Sequence, residues 1–419
     1  MRLQNRYLAL IFAVVCTLML MLANPALADV SPPGKPPGAD IYPGDEATRV
    51  RMVAETVTLD ILDDPAANTL GQAETHAIFT MRNMGNKDEQ LEVRFPLSYW
   101  DYSSGDKRDN YPEIRDFKTF VNGESVQSRR AEFSDSEFQD GEMLPWAVFD
   151  VRFPAGEDVN IEVTYTTEAF GDNPFPAFRY IMQTGAGWFD TIGSADIIIR
   201  LPYEATPQNV LLSGQTGYGE TTPGAIVSGN EVRWHFEDFE PSPWEHDITL
   251  IVVNQAYWVK VLQEQRNVAE NPNDGNAWGR LGLACKNSIR FRRSMRRDSG
   301  GEELYDLSVQ AYEKALAILP NDADWHAGFA ELLWTRFYYV LQWEERSAAG
   351  PVLGQLLEEI LASLTLDSDN KYAIRIADEI YYSSDYIDRT ENGEYIFQAL
   401  TDVPIFPTWT PTPTVTPTP

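Results

Sequence analysis

The chain has 419 residues, 43% of them hydrophobic and 12% aromatic, enough apolar mass for two or three domains with cores of their own; a largely disordered protein is excluded. Its formal net charge of −30 sets the surface against nucleic acid phosphate and anionic lipid, and nucleic acid is excluded as a partner. The cysteines are Cys16 and Cys285; Cys16 falls in a leader, so no disulfide is expected in the mature chain and stability must come from burial.

Residues 1–28 read as a signal peptide. Arg2 and Arg6 supply a positive start, Leu8 to Leu22 an apolar run, and Ala26-Leu27-Ala28 a small-x-small cleavage site. The expected localisation is extracytoplasmic: secreted, or in the cell envelope. Retained uncleaved, the same segment is a membrane anchor, and a membrane is a partner only in that case. Residues 29–45 are a Pro/Gly linker, with SPPGKPPGADIYP at Ser31 to Pro43.

From about Thr48 to Asn254 the apolar period is two. Val50 and Met52 alternate with charged neighbours, and Val57, Leu59 and Ile61 continue after a one-residue shift. Similar alternation recurs at Ala77–Met81, Leu91–Phe95, Ile161–Tyr165 and Val232–Phe236, with turn signals between; Asn122-Gly123 is a hairpin signal. Many short strands with one polar face predict an antiparallel β-sandwich domain over 46–254, with room for two subdomains.

Near Gln255 the period becomes helical, and helices are predicted to about residue 400. Two segments echo one another: NPNDGNAWGRLG from Asn271 and LPNDADWHAGF from Leu319. Pro272, Pro320 and Ser368 recur 48 positions apart, each followed by Asn or Asp able to cap the next helix. Trp278, Leu281 and Gly282 form W-x2-L-G, and Tyr312, Ala315 and Pro320 a matching second-helix pattern. This resembles the tetratricopeptide repeat, although that repeat has a period of about 34. In the resembling family the first helices line a concave groove. The resemblance implies that Asn276, Gly279, Leu283, Lys286, Asp324, Ala327, Glu331 and Trp334 face a protein or peptide partner. It also implies that Gly282 lets the helices of a pair approach closely.

Lys286, Arg290, Arg292, Arg293, Arg296 and Arg297 place six basic residues within twelve positions. They are a candidate docking patch for an acidic partner or polyanion, or they pair internally with carboxylates such as Glu302 and Glu303. The aromatics Trp334, Phe337, Tyr338 and Tyr339 read first as core. The end of the chain, residues 401–419, is Thr/Pro-rich low complexity that favours polyproline II.

In the strand-rich half, MRNMGNKDEQLEVRFPL, WAVFDVRFPAGEDVNIEVTYTTE and YIMQTGAGWFDTI together resemble a family of exported bacterial domains of unknown function. That resemblance implies a β-sandwich without an established activity, with Trp188 and Ile192 anchoring a bend at Gly185 and Gly187.

Motifs for chemistry are absent from the sequence. His76, His235, His246 and His326 have no metal-ligand spacing. G-x-S-x-G, P-loop and H-E-x-x-H motifs do not occur. The acidic run Asp135, Glu137, Asp140 and Glu142 lacks the order of a Ca2+ loop. The expected architecture is therefore β then α, an antiparallel β-sandwich domain followed by a tetratricopeptide-like α-helical repeat domain over 255–400. The expected function is a non-enzymatic binding or scaffold protein presenting a groove to an envelope or secreted protein or peptide, with no cofactor and no metal. The alternatives are a carbohydrate-binding protein or hydrolase acting through the β-sandwich, and a Ca2+-stabilised surface adhesin.

Overall fold

The computed structural model describes residues 48–64, 69–98, 113–134, 143–212, 220–241, 246–296, 298–338 and 346–398. The segments expected to be a leader (1–28), a linker (29–45) and a Thr/Pro tail (401–419), with the acidic run 135–142, Arg297 and Tyr339, lie outside the described residues, which begin at residue 48.

Burial alternates along β1 (Val50–Ile61), with Val50 and Met52 inward, then Glu55, Val57 and Leu59. A register shift between Met52 and Ala54 accounts for the slip in the sequence pattern. β2 (Gln72–Asn83), β8 (Asp158–Glu168), β11 (Ile192–Arg200) and β13 (Glu231–Phe239) bury one face in the same way. With β4 (Arg115–Val121), β5 (Glu124–Val126) and β12 (Ile226–Ser228) they form an eight-stranded sheet ordered β12-β13-β11-β1-β2-β8-β4-β5.

Two three-stranded sheets cover the apolar face of the large one, sharing a single core with it. The first is β3 (Glu89–Pro96), β7 (Met143–Phe153) and β6 (Arg129–Ser134), which places Phe95 against Tyr165 of β8, ring centroids 5.3 Å apart. The second is β14 (Ile248–Ile251), β10 (Phe175–Tyr180) and β9 (Phe170–Asp172). Tyr180 donates its hydroxyl hydrogen to buried Glu55 at 2.5 Å, which ties this sheet to β1. Trp188 and Ile192 are buried in the shared core, and Trp188 meets Phe153 edge-on.

This architecture corrects the expected antiparallel β-sandwich. β1 and β11 run parallel, from Glu55 opposite Ala195 to Asp60 opposite Arg200, so the large sheet is mixed. Alternation fixes which side chains face the core but says nothing of a strand's neighbour or direction.

Helices follow from Asn254, whose side chain caps α1 (Gln255–Glu270) by accepting from the Ala256 amide. α2 (Gly275–Arg296) and α3 (Ser299–Ile318) pack as a pair, as do α4 (Ala323–Arg336) and α5 (Arg346–Leu366); α6 (Lys371–Ser383) lies against α4 and α5. Asp274, Asp322 and Asn370 accept from amides two residues on, so the three echoes do mark helix starts. A Cβ on Gly282 would lie 2.9 Å from the Tyr312 ring, the close approach that the glycine permits.

The tetratricopeptide-like array is also corrected. Such an array stacks like-sized helix pairs. Here the helices among the described residues have 16, 22, 20, 14, 21 and 13 residues. α2 is broken at Arg290, where φ is 38° and ψ −179°. After α6 the third echo continues not as a helix but as a two-stranded hairpin, β15 (Ile387–Arg389) and β16 (Tyr395–Phe397). The echo conserves the signals that start a helix, and these do not specify what the helix packs against. No helix among the described residues is long and apolar enough to cross a membrane.

The two halves share buried contacts. Leu211 and Val253 belong to the same apolar cluster as Trp258, Leu281 and Leu304. Arg293 is fully buried, pairs with Asp298, and donates to the main-chain oxygens of Pro207 and Gln208.

Candidate binding groove

The echo places α2, α4 and α6 side by side along one face, and a cavity of about 580 Å³ opens there. Its walls include Lys286, Asn287 and Arg290 from α2, Glu331, Trp334 and Thr335 from α4, and Arg375, Glu379 and Ser383 from α6; Tyr338 follows α4 at the rim.

A charge relay crosses these walls. Glu331 receives the Lys286 ammonium on one carboxylate oxygen and the Arg375 guanidinium on the other. Arg375 also donates to Glu379 at 2.8 Å, and Glu379 accepts from the Trp334 indole N–H at 3.1 Å. Lys286, with its side chain 11% exposed, reaches the Gly328 carbonyl at 3.4 Å as well.

Burial pushes Lys286 below the usual lysine range, and Glu331 only partly restores it. Burial would raise the Glu331 carboxyl, but the Lys286 and Arg375 charges outweigh it and hold the group below its ordinary value. Burial likewise works against the Arg375 charge, yet Glu331 and then Glu379 raise its pKa overall. The Arg375–Glu379 pair is far more exposed, at 46% and 45%, and lies four positions apart on one helix. Pairs of that kind stabilise by about 0.3–0.5 kcal/mol. The relay therefore has a half-buried end at Lys286–Glu331 and a weak, solvated end at Arg375–Glu379.

Lys286, Glu331 and Trp334, expected to face a partner, are brought together here, as is Arg290 of the basic run. The other expected residues are elsewhere. Asn276 accepts from the Trp325 indole at 3.1 Å, and Asp324 accepts from the Asn370 side chain at 2.7 Å. Leu283 is exposed but does not line the cavity, Gly279 lies beneath the Trp325 ring, and Ala327 is buried.

Among the described side chains of the basic run, Arg290 and Arg293 part company. Arg290 reaches the Asn173 carbonyl at 3.5 Å from the groove rim, while Arg293 points into the junction between the halves. Arg292 and Arg296 lie within α2. Of the aromatic run, Phe337 is buried, and Trp334 stacks with it and packs against Tyr338.

Arg375 and Glu379 are the residues that sequence reasoning missed. A signal for them exists: they lie 48 positions after Ala327 and Glu331, one step further along the same spacing. Among the described residues, no three His, Cys, Asp or Glu side chains are grouped to hold a metal ion.

No protein-family model and no curated protein matches the sequence. Among solved structures, a putative nutrient binding protein from Legionella pneumophila is similar at 17% identity over 77% of this chain and 98% of that one, with a TM-score of 0.41. The M1 zinc metallopeptidase of Deinococcus radiodurans is similar at 8% identity over 49% of this chain and 42% of its own, with a TM-score of 0.25. Yeast LTA4 hydrolase is similar at 10% identity over 70% and 54%, with a TM-score of 0.27. Each likeness is partial, and the chain spans less than two thirds of the peptidase and of the hydrolase.

Proposed function

We propose that this is an exported binding protein without a catalytic role, and that its helical half receives a protein or peptide partner in the groove between α2, α4 and α6. The observation that carries the reading is the groove itself: about 580 Å³, walled by hydrogen-bonding and aromatic side chains from three separate helices. Half-solvated charges beside an indole and a phenol suit a polar segment that exchanges hydrogen bonds with the walls. The leader and the acidic surface support a place outside the cytoplasm.

A photo-crosslinking amino acid at Thr335, in the full chain in its native cells, tests the reading. A discrete crosslinked partner is expected from that position, and none from Glu237 on the outer face of the large sheet, whose side chain is 75% exposed. Equal crosslinking from both positions, or none from Thr335, contradicts it.

A further inference from the structure

The groove holds two carboxylates and three cations among its described walls: Glu331 and Glu379 against Lys286, Arg290 and Arg375. A positive excess is unexpected in a chain of net charge −30. The carboxylates are also held unequally. Glu331 is gripped by a cation on each oxygen, and its Lys286 partner is nearly enclosed. Glu379 is about half exposed and bound through one Arg375 nitrogen and the Trp334 indole.

A carboxylate arriving from solvent meets Arg375, 46% exposed, with Glu379 as its weakest competitor. The guanidinium plane favours bidentate pairing with a carboxylate, and Glu379 engages it singly at 2.8 Å. Trp334 and Tyr338, ring centroids 5.1 Å apart, stand beside that place and offer apolar area to the rest of a ligand.

We infer that the groove selects an acidic segment of its partner, that a ligand Asp or Glu carboxylate takes Arg375, and that Glu379 is a built-in stand-in for it which yields on binding and releases the Trp334 indole. This rests on the groove being the binding site. It adds the ligand's chemistry and a displacement step that moves no covalent bond.

The test uses the full chain and two pools of hexapeptides with blocked termini, random except at positions three and four, where one pool carries Glu and the other Gln. Binding is read by competition and by tryptophan fluorescence, with W334F identifying the share of the signal that belongs to Trp334. The Glu pool is expected to bind about tenfold more tightly than the Gln pool. R375Q should reduce that preference to within about twofold, and E379Q should tighten Glu-pool binding several-fold because the competitor has lost its charge. A purely structural Glu379 gives the opposite sign, with E379Q weakening binding. Thermal melts of both variants check that they fold. Equal affinity for the two pools, or E379Q binding no tighter than the parent, overturns this inference and leaves the groove as a binding site. Binding of neither pool removes the groove reading itself.

Discussion

Arg293 and Asp298 form an ion pair with side-chain exposures of 0% and 2% and an Nη2–Oδ1 distance of 2.7 Å. The same guanidinium donates to the Pro207 carbonyl at 2.7 Å, and the same carboxylate accepts from the Gly301 amide at 2.9 Å at the start of α3. One arginine thus joins the strand-rich half to the helical half while pairing with the residue that caps α3. Arg293→Ala leaves a buried carboxylate and two carbonyls without their donor. The expected loss is about 3–5 kcal/mol in urea unfolding, because removing one partner strands the other in a low dielectric. A loss under about 1 kcal/mol contradicts this account of the junction.

Gly300 is the second residue of α3, at the same seam. A Cβ there would sit 1.7 Å from the Pro207 carbonyl oxygen, a distance that no rotamer can relieve. Gly300→Ala is expected to cost about 3 kcal/mol, since two main chains must separate. Ser299→Ala, one residue earlier on the exposed side, should stay within about 0.5 kcal/mol. Chemical denaturation of the two variants in parallel decides it.

His326 makes two contacts that both want an N–H. Nδ1 lies 2.5 Å from Glu359 Oε2 and Nε2 lies 3.0 Å from the Pro320 carbonyl. The Glu359 bond is the larger cause, and the folded-state pKa is raised above 6.5. The imidazolium is therefore favoured by folding. Its stabilisation is fully present below the unfolded value and is lost as pH rises through the raised folded value. The melting temperature of the parent minus that of His326→Gln should be greatest at about pH 5 and shrink toward about pH 9. A difference that is flat or grows with pH refutes the pairing.

Cys285 is buried within α2, and burial pushes its thiol up to about 12. With Cys16 replaced by serine, the native chain should resist iodoacetamide at about pH 8 and react with one equivalent once unfolded. Rapid native labelling would mean that α2 opens readily.

The order of strands before helices was legible because the apolar period changes near Gln255, and period follows directly from backbone geometry. The hairpin at Asn122-Gly123 was legible too: both residues have positive φ, 51° and 80°, which these side chains tolerate best. The parallel pairing of β1 with β11 was not, because Val57 and Leu59 record only that one face is buried. Neither was the end of the helical array. Asn370 caps α6 just as Asp322 caps α4, and nothing local distinguishes a helix with a helical mate from one followed by a hairpin.

In the groove, Lys286, Glu331 and Trp334 are positions that the tetratricopeptide resemblance implies, and the 48-residue echo reaches Arg375 and Glu379 only if its third copy is followed despite Ser368 in place of proline. Arg293 reads in the sequence either as part of a docking patch or as a partner of the chain's own carboxylates, and it pairs with Asp298. Burial of a guanidinium depends on carbonyls at 207 and 208, far away in sequence, and charge patterning cannot register them.

The parallel pair has a consequence for how the chain is made. β1 gains β2 as a neighbour almost at once, but its other edge waits for β11; Arg51 and Thr191, which meet across that seam, are 140 residues apart. During synthesis from the amino end, the central strand of the large sheet therefore emerges with one rim unpaired, and it stays so until the chain as far as Arg200 has left the ribosome. Loop closure over such a span is slow, and an open rim invites strangers. A chaperone that holds the nascent segment near β1 should raise the yield of correctly folded protein more than one acting after release.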